Sequence, residues 1–156
     1  MSSEPVDIVL PSGQRLRYQR LASGIFEVII GETEVLPNAA SPFYNFVSDF
    51  KLIERTGSIM AWPGLTFGAT CVISSADFGD FIPMTWITRF PPGGLTADDG
   101  VTFAFDRMGC DVPNGKTTFQ SYSFDHAWEM APGEWHLELW YEEQMIADHV
   151  FTVTAG

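Results

Sequence analysis

The stretch PGEWHLELWYEEQMIADHVFTV, residues Pro132 to Val153, predicts most clearly how this chain folds. In its first half apolar residues occupy every second position, which is the period of a half-buried β-strand. The two sets of alternating residues are Trp135, Leu137 and Leu139 on one side and His136, Glu138 and Trp140 on the other. The polar pair Glu142-Glu143 falls where a tight turn would lead into a second strand that ends in Phe151 and Val153. The stretch therefore predicts a β-hairpin with one covered face.

Short alternating segments bounded by Pro and Gly recur along the rest of the chain, and no segment combines helix periodicity with helix caps. Strands are predicted at residues 6–10, 14–20, 24–30, 46–55, 65–73, 83–90, 101–106 and 117–124. Loops are predicted at residues 31–42, 74–80, 95–101 and 107–115. We predict one all-β domain over residues 1–156, an immunoglobulin-like antiparallel β-sandwich whose N-terminal segment, residues 1–23, adds an edge strand.

The predicted core combines the hairpin with the strand at residues 65–73, which has one apolar face. Its members are Phe67, Cys71, Trp135, Leu137, Leu139 and Phe151. Gly68 leaves room on that strand for a close neighbour. Cys71 is predicted to be a buried thiol and Cys110 to lie in a loop, and neither has metal-ligand spacing. Whether the two cysteines ever pair is left open.

Composition excludes several classes of function. Twenty acidic residues against eight basic ones give a net charge of −12, which opposes binding to nucleic acid or to anionic lipid. The N-terminus has no basic start followed by an apolar run, so we expect neither a signal peptide nor a membrane span, and a cytoplasmic location. No cofactor is expected.

Several short motifs together resemble a known bacterial family. They are Gly24-Ile25-Phe26-Glu27, Leu65-Thr66-Phe67-Gly68, Arg89-Phe90-Pro91 and, near the end, Glu129, Pro132-Gly133, Trp135, Trp140 and Phe151. The family is the uncharacterised domain of unknown function 3859. The resemblance covers the chain from about Gly24 onward and implies an immunoglobulin-like sandwich with no established activity and no catalytic residues. Such hairpins usually carry Gly where this chain has Glu143.

One group of residues suggests a metal site. With Glu142-Glu143 as a two-residue turn, regular antiparallel pairing sets His136 opposite His149, with Glu138 two residues along on the same face. Two imidazoles and a carboxylate are ligands for zinc. The alternative is a pair of solvated histidines, and the change of parity from Ile146 and Val150 to Phe151 and Val153 indicates a β-bulge that would break the pairing. The acidic pairs Asp77/Asp80 and Asp98/Asp99 match no calcium-loop motif and are interpreted as solvated loop charges.

No catalytic residue is predicted, because the chain has no Gly-x-Ser-x-Gly turn and His126 lies beside aromatic residues. Our first hypothesis is a non-catalytic module that binds a protein partner or a second copy of itself through Trp140, Met145 and Glu138 on the outer face of the hairpin. The second hypothesis is a small-ligand or carbohydrate-binding domain that uses its five Trp residues. The third is a metal-dependent enzyme that uses His136, His149 and Glu138.

Overall fold

A computed structural model describes residues 4–35 and 43–155, and the side chains of these except residues 30–49. Twelve strands and one turn of 3-10 helix, Ala127–Glu129, lie within those ranges. The strands are β1 Val6–Val9, β2 Arg15–Val35, β3 Phe43–Arg55, β4 Ser58–Met60, β5 Thr66–Ser74, β6 Phe81–Arg89, β7 Leu95–Thr96, β8 Thr102–Phe103, β9 Phe105–Pro113, β10 Thr117–Ser123, β11 Gly133–Tyr141 and β12 Gln144–Thr154. No helix in the described part of the chain is long and apolar enough to cross a membrane.

The strands form two five-stranded sheets. Sheet A has the order β1-β2-β5-β10, with β3 paired to the far half of β2, and sheet B has the order β4-β12-β11-β6-β9. Neighbouring strands are antiparallel except β4 and β12, which are parallel. Strands β7 and β8 form a separate two-stranded ribbon. The predicted all-β sandwich is confirmed, and β1 is the predicted edge strand of sheet A.

The core lies between the two sheets and is centred on Trp135. All six predicted core residues are at most 1% exposed: Phe67, Cys71, Trp135, Leu137, Leu139 and Phe151. The ring of Trp135 meets that of Phe67 edge-on at 5.6 Å between centroids, and its indole N–H donates to the carbonyl oxygen of Ala131 at 2.9 Å. Gly68 lies close to β10, since a Cβ there would come within 2.4 Å of the Gln120 carbonyl oxygen.

Three predictions about the connections were wrong, one of them the loop at 95–101, whose residues Leu95–Thr96 form β7. Residues 107–115, predicted to be a loop, lie mostly in β9, the edge strand that pairs with β6. Within this segment the outward residues Arg107, Gly109 and Asp111 are polar or Gly, so only inward positions such as Cys110 and Val112 carried an apolar signal. Both cysteines are free thiols. The predicted loop at 31–42 also begins too early, because β2 continues to Val35; residues 36–42 lie outside the described ranges.

The closing hairpin of β11 and β12 forms as predicted, with one difference in register. Tyr141 pairs with Gln144 across a two-residue turn, as expected. The ladder then shifts, because Trp140 pairs with Met145 but Leu139 pairs with Ala147. Ile146 is the extra residue of a β-bulge. From that point the pairing is displaced by one residue along the rest of β12.

Candidate functional site

The outer face of sheet B carries the most organised group of polar side chains among the described residues. Because the odd-numbered residues of β11 from Trp135 to Leu139 are buried in the core, its even-numbered residues point outward. Strand register aligns three rows of outward side chains across β12, β11, β6 and β9. The rows are Val150, His136, Arg89 and Phe105; Asp148, Glu138, Ile87 and Arg107; and Met145, Trp140, Thr85 and Gly109.

Glu138 lies at the centre of this face and is only 3% exposed. Its carboxylate accepts two hydrogen bonds from the Arg89 guanidinium, at 3.1 and 3.2 Å, and one from the Trp140 indole N–H at 2.9 Å. The hydrogen bond to Glu138 raises the pKa of Arg89. The Arg89 guanidinium also lies over the Phe105 ring, 5.4 Å from its centroid. Charge-assisted, two-pronged bonds of this kind fix both side chains.

His136 is held between two carboxylates on the same face. Its Nδ1 lies 2.9 Å from both carboxylate oxygens of Asp148, and its Nε2 lies 2.8 Å from Oε1 of Glu134. Burial acts to lower the pKa of His136, but the hydrogen bonds and charges of Asp148 and Glu134 outweigh it and raise the pKa. One donor atom each of His136, Glu138 and Asp148 lies within 4.8 Å of the other two.

His149 lies on the opposite side of the sheet, in the core, and is 1% exposed. The bulge pairs it with Leu137 and pairs His136 with Val150, so the predicted His136–His149 pairing was wrong. Nε2 of His149 shares a hydrogen bond with the Tyr18 hydroxyl, and Nδ1 of His149 has no partner among the described residues. Burial, with a contribution from the charge of Arg20, lowers the pKa of His149 to about 4. His149 is therefore a neutral core residue.

The predicted metal set of His136, His149 and Glu138 is accordingly not brought together. The structure groups His136 and Glu138 with Asp148 instead. Sequence reasoning missed Asp148, Arg89 and Glu134. The change of parity in β12 was the sequence signal that could have revealed Asp148. A bulge at Ile146 turns the Asp148 side chain outward. Arg89 is 49 residues from Glu138 in the chain, and no local pattern links them.

Apolar side chains surround this ion-paired centre. Met145 lies opposite Trp140, as predicted, and Trp140 is half-buried. Met145, Val150 and Phe105 are each 43% exposed. Trp140, Met145 and Glu138 therefore lie together on one face with exposed apolar side chains around them. Their predicted role in binding a partner stays a prediction.

The five Trp residues do not form a shared sugar platform. Trp135 is buried in one part of the core, Trp128 of the 3-10 turn packs against that part, and Trp86 packs against the other part. Trp62 is 67% exposed in the turn after β4, and Trp140 lies on the outer face of sheet B. The rings therefore lie in separate environments.

The residues around His126 have a structural role. The buried carboxylate of Glu129 accepts hydrogen bonds from the backbone N–H groups of Asp125 and His126, at 2.9 and 2.7 Å, and from the Tyr122 hydroxyl. Burial raises the pKa of Glu129. The His126 ring stacks on Trp128 at 5.3 Å. Glu129 thus fastens the loop before β11 to the core.

Two of the acidic loop residues, Asp77 and Asp99, accept hydrogen bonds from backbone N–H groups. A carboxylate oxygen of Asp77 accepts the backbone N–H of Arg15 at 2.8 Å, and one of Asp99 accepts that of Val101 at 3.0 Å. The Asp99 bond stabilises its turn locally, whereas the Asp77 bond links the loop after β5 to the start of β2. They give each carboxylate a structural role.

Comparison with known proteins places the chain in a family. The sequence model of the family described as Domain of unknown function (DUF3859) matches residues 14–153. The chain belongs to the DUF3859 family. No curated protein matches this DUF3859 member. It is similar to the crystal structure of an immunoglobulin-like protein from Pseudomonas aeruginosa, with a TM-score of 0.62 and 24% identity over 85% of this chain and 90% of that one. That likeness shows the fold alone, and it agrees with the predicted immunoglobulin-like sandwich.

Proposed function

We propose that this chain is a non-catalytic, immunoglobulin-like binding module in which two copies associate through the outer face of sheet B. The observation that supports this most is the hydrogen-bonded unit of the buried Glu138 with the partly exposed Arg89 and Trp140, surrounded by the exposed side chains of Met145, Val150 and Phe105. Trp and Arg are the commonest anchors of protein interfaces. Here both are fixed before binding, so association loses little side-chain entropy.

A second copy is a suitable partner because this face carries both acidic and basic residues, and those of one copy can pair with the opposite charges of the other. In the central row the acids Asp148 and Glu138 lie toward β12, and Arg107 lies toward β9. A two-fold axis parallel to the strands and lying between β11 and β6, midway between β12 and β9, would set Arg107 of one copy against Asp148 of the second copy, twice per dimer. It would also bring the two Trp140 side chains close to the axis.

The size of the face is compatible with a dimer. The four long strands of sheet B, β12, β11, β6 and β9, are about 4.8 Å apart and about nine residues long, and cover on the order of 600 Å² before side-chain relief is counted. A standard interface buries about 800 Å² per partner. Side-chain relief and the rim can supply the difference.

The hydrogen bonds and ion pairs that the candidate catalytic side chains already make favour a binding role over a catalytic one. Both ring nitrogens of His136 contact carboxylates, and the carboxylate of Glu138 is occupied by Arg89 and Trp140. A general acid or base must reach a substrate proton directly or through one water. These side chains instead hold one another in place.

Replacing Trp140 tests this proposal. Light scattering should give the wild-type protein twice the 17.3 kDa of one chain, and Trp140→Ser should give a single chain with an unchanged circular dichroism spectrum. The matched control is Trp62→Ser, since Trp62 is exposed but lies in the turn after β4, and it should remain a dimer. A wild-type protein that is monomeric at every concentration measured contradicts self-association, as does a folded Trp140→Ser dimer.

A further inference from the structure

We propose that His136, Glu138 and Asp148 bind one divalent transition-metal ion, of the zinc class, through Nδ1 of the imidazole and one oxygen of each carboxylate. The three donor atoms already lie within 4.8 Å of one another. Ligands about 2.1 Å from a tetrahedral zinc ion are roughly 3.4 Å apart. The side chains of His136 and Asp148 are 24% and 32% exposed, so both can make the small movement that coordination requires.

The backbone fixes which residues meet at this site. His136 and Glu138 are two residues apart on β11 and therefore share a face. In an unbroken ladder Asp148 would face the core and His149 would face outward. The bulge at Ile146 reverses this and pairs Asp148 with Glu138. The same irregularity that removes His149 thus supplies a carboxylate in its place.

The surroundings of the three residues match those of known metal ligands. A metal-binding histidine usually donates its other ring N–H to a carboxylate, which orients the ring. Nε2 of His136 lies 2.8 Å from Oε1 of Glu134, which leaves Nδ1 for the ion. The Glu138 carboxylate is held by three hydrogen bonds from Arg89 and Trp140. Since a carboxylate has about four acceptor positions, one remains for a metal.

Charge favours a dication at this position. The carboxylates of Glu134, Glu138 and Asp148 and the guanidinium of Arg89 carry a net charge of −2 when His136 is neutral. A divalent cation neutralises this charge by replacing the proton that His136 would otherwise hold between Asp148 and Glu134. One imidazole and two carboxylates suit Zn²⁺ and related ions more than Ca²⁺ or Mg²⁺, which prefer oxygen ligands alone.

This site lies within one chain and does not depend on self-association. Chelator-treated protein should bind Zn²⁺ with one ion per chain in isothermal titration calorimetry, whether light scattering gives a monomer or a dimer. Tryptophan fluorescence should change in parallel, because Trp140 donates to Glu138. Co²⁺ should give visible absorption bands that Zn²⁺ abolishes.

Matched variants distinguish this site from adventitious binding. His136→Gln and Asp148→Asn should each weaken Zn²⁺ binding at least tenfold, and the control His126→Gln should bind as the wild type does. Asp148→Asn is nearly isosteric, so it decides the matter if His136→Gln does not fold. Absence of one-to-one binding overturns the proposal. Unchanged affinity in both ligand variants overturns it as well, because the ion would then bind through other residues.

Discussion

At the scale of single residues, Trp135 and Trp62 have the same side chain in opposite environments. Trp135 is fully buried between the sheets, and Trp62 is 67% exposed. We expect Trp135→Ala to reduce the free energy of unfolding by about 3–5 kcal/mol, because it removes buried apolar surface and leaves a cavity. Trp62→Ala should change it by less than about 0.5 kcal/mol. Urea denaturation of both variants measures the difference, and equal effects would mean that the core is misassigned.

The residues of the core and the outward residues of β11 could be predicted from sequence, but the outward residues of β12 beyond its bulge could not. Trp135, Leu137 and Leu139 reveal their direction by strict alternation. Asp148 and His149 do not, because both are polar and their direction depends on where one extra residue sits. An apolar Ile146 next to Met145 is compatible with either register, so the sequence indicated a bulge without locating it.

At the scale of the element, the β11–β12 turn carries local strain at a position that sequence reasoning did not select. Glu142 has a φ of +50°, and it is the sole non-Gly residue with positive φ in the described ranges. Positive φ at the first central position alone is the pattern of a type II′ turn, which favours Gly there. The positive φ of this turn is thus at Glu142 and not at Glu143, the position where such hairpins usually carry Gly.

Two glycine substitutions test this assignment. Glu142→Gly should raise the free energy of unfolding by about 0.5–1 kcal/mol, since relief of the left-handed conformation outweighs the added entropy of the unfolded chain. Glu143→Gly is the matched control and should be neutral or destabilising, because it removes no strain. Thermal unfolding of the two variants decides between them. Stabilisation by Glu143→Gly but not by Glu142→Gly would mean that the turn has another geometry.

A comparison of edge strand β9 with central strand β5 shows why some strands can be predicted from sequence and others cannot. Strand β5 lies between β2 and β10 and is apolar on its inner face, so its sequence reads clearly as a strand. Strand β9 has one neighbour and exposes every second residue, so Gly109 and Asp111 make it resemble a loop. Its assignment depends on pairing with β6, which no local pattern contains.

At the scale of the whole molecule, the candidate site is a product of the sheet rather than of any segment. Arg89 comes from β6, Glu138 from β11 and Asp148 from β12. The fold could be predicted because alternation and turns are local signals, whereas the rows on the outer face depend on strand order and register. An acidic net charge of −12 gave no indication that one face combines both signs of charge.

The measurement that tests the proposed dimer most directly is a mixing experiment with two charge-reversed variants. Arg107→Glu and Asp148→Lys each turn both inter-copy charge contacts of a homodimer into repulsive ones. In a mixed dimer the two new charges oppose each other and the second contact is unaltered. Lys116→Glu, in the turn between β9 and β10, has the same change in net charge as Arg107→Glu and is the control for that variant.

Sedimentation equilibrium should therefore find each charge-reversed variant monomeric alone, the equimolar mixture dimeric, and Lys116→Glu as dimeric as the wild type. Circular dichroism should show that all the variants are folded. A mixture that stays monomeric, or single variants that dimerise like the wild type, would contradict association through the outer face of sheet B.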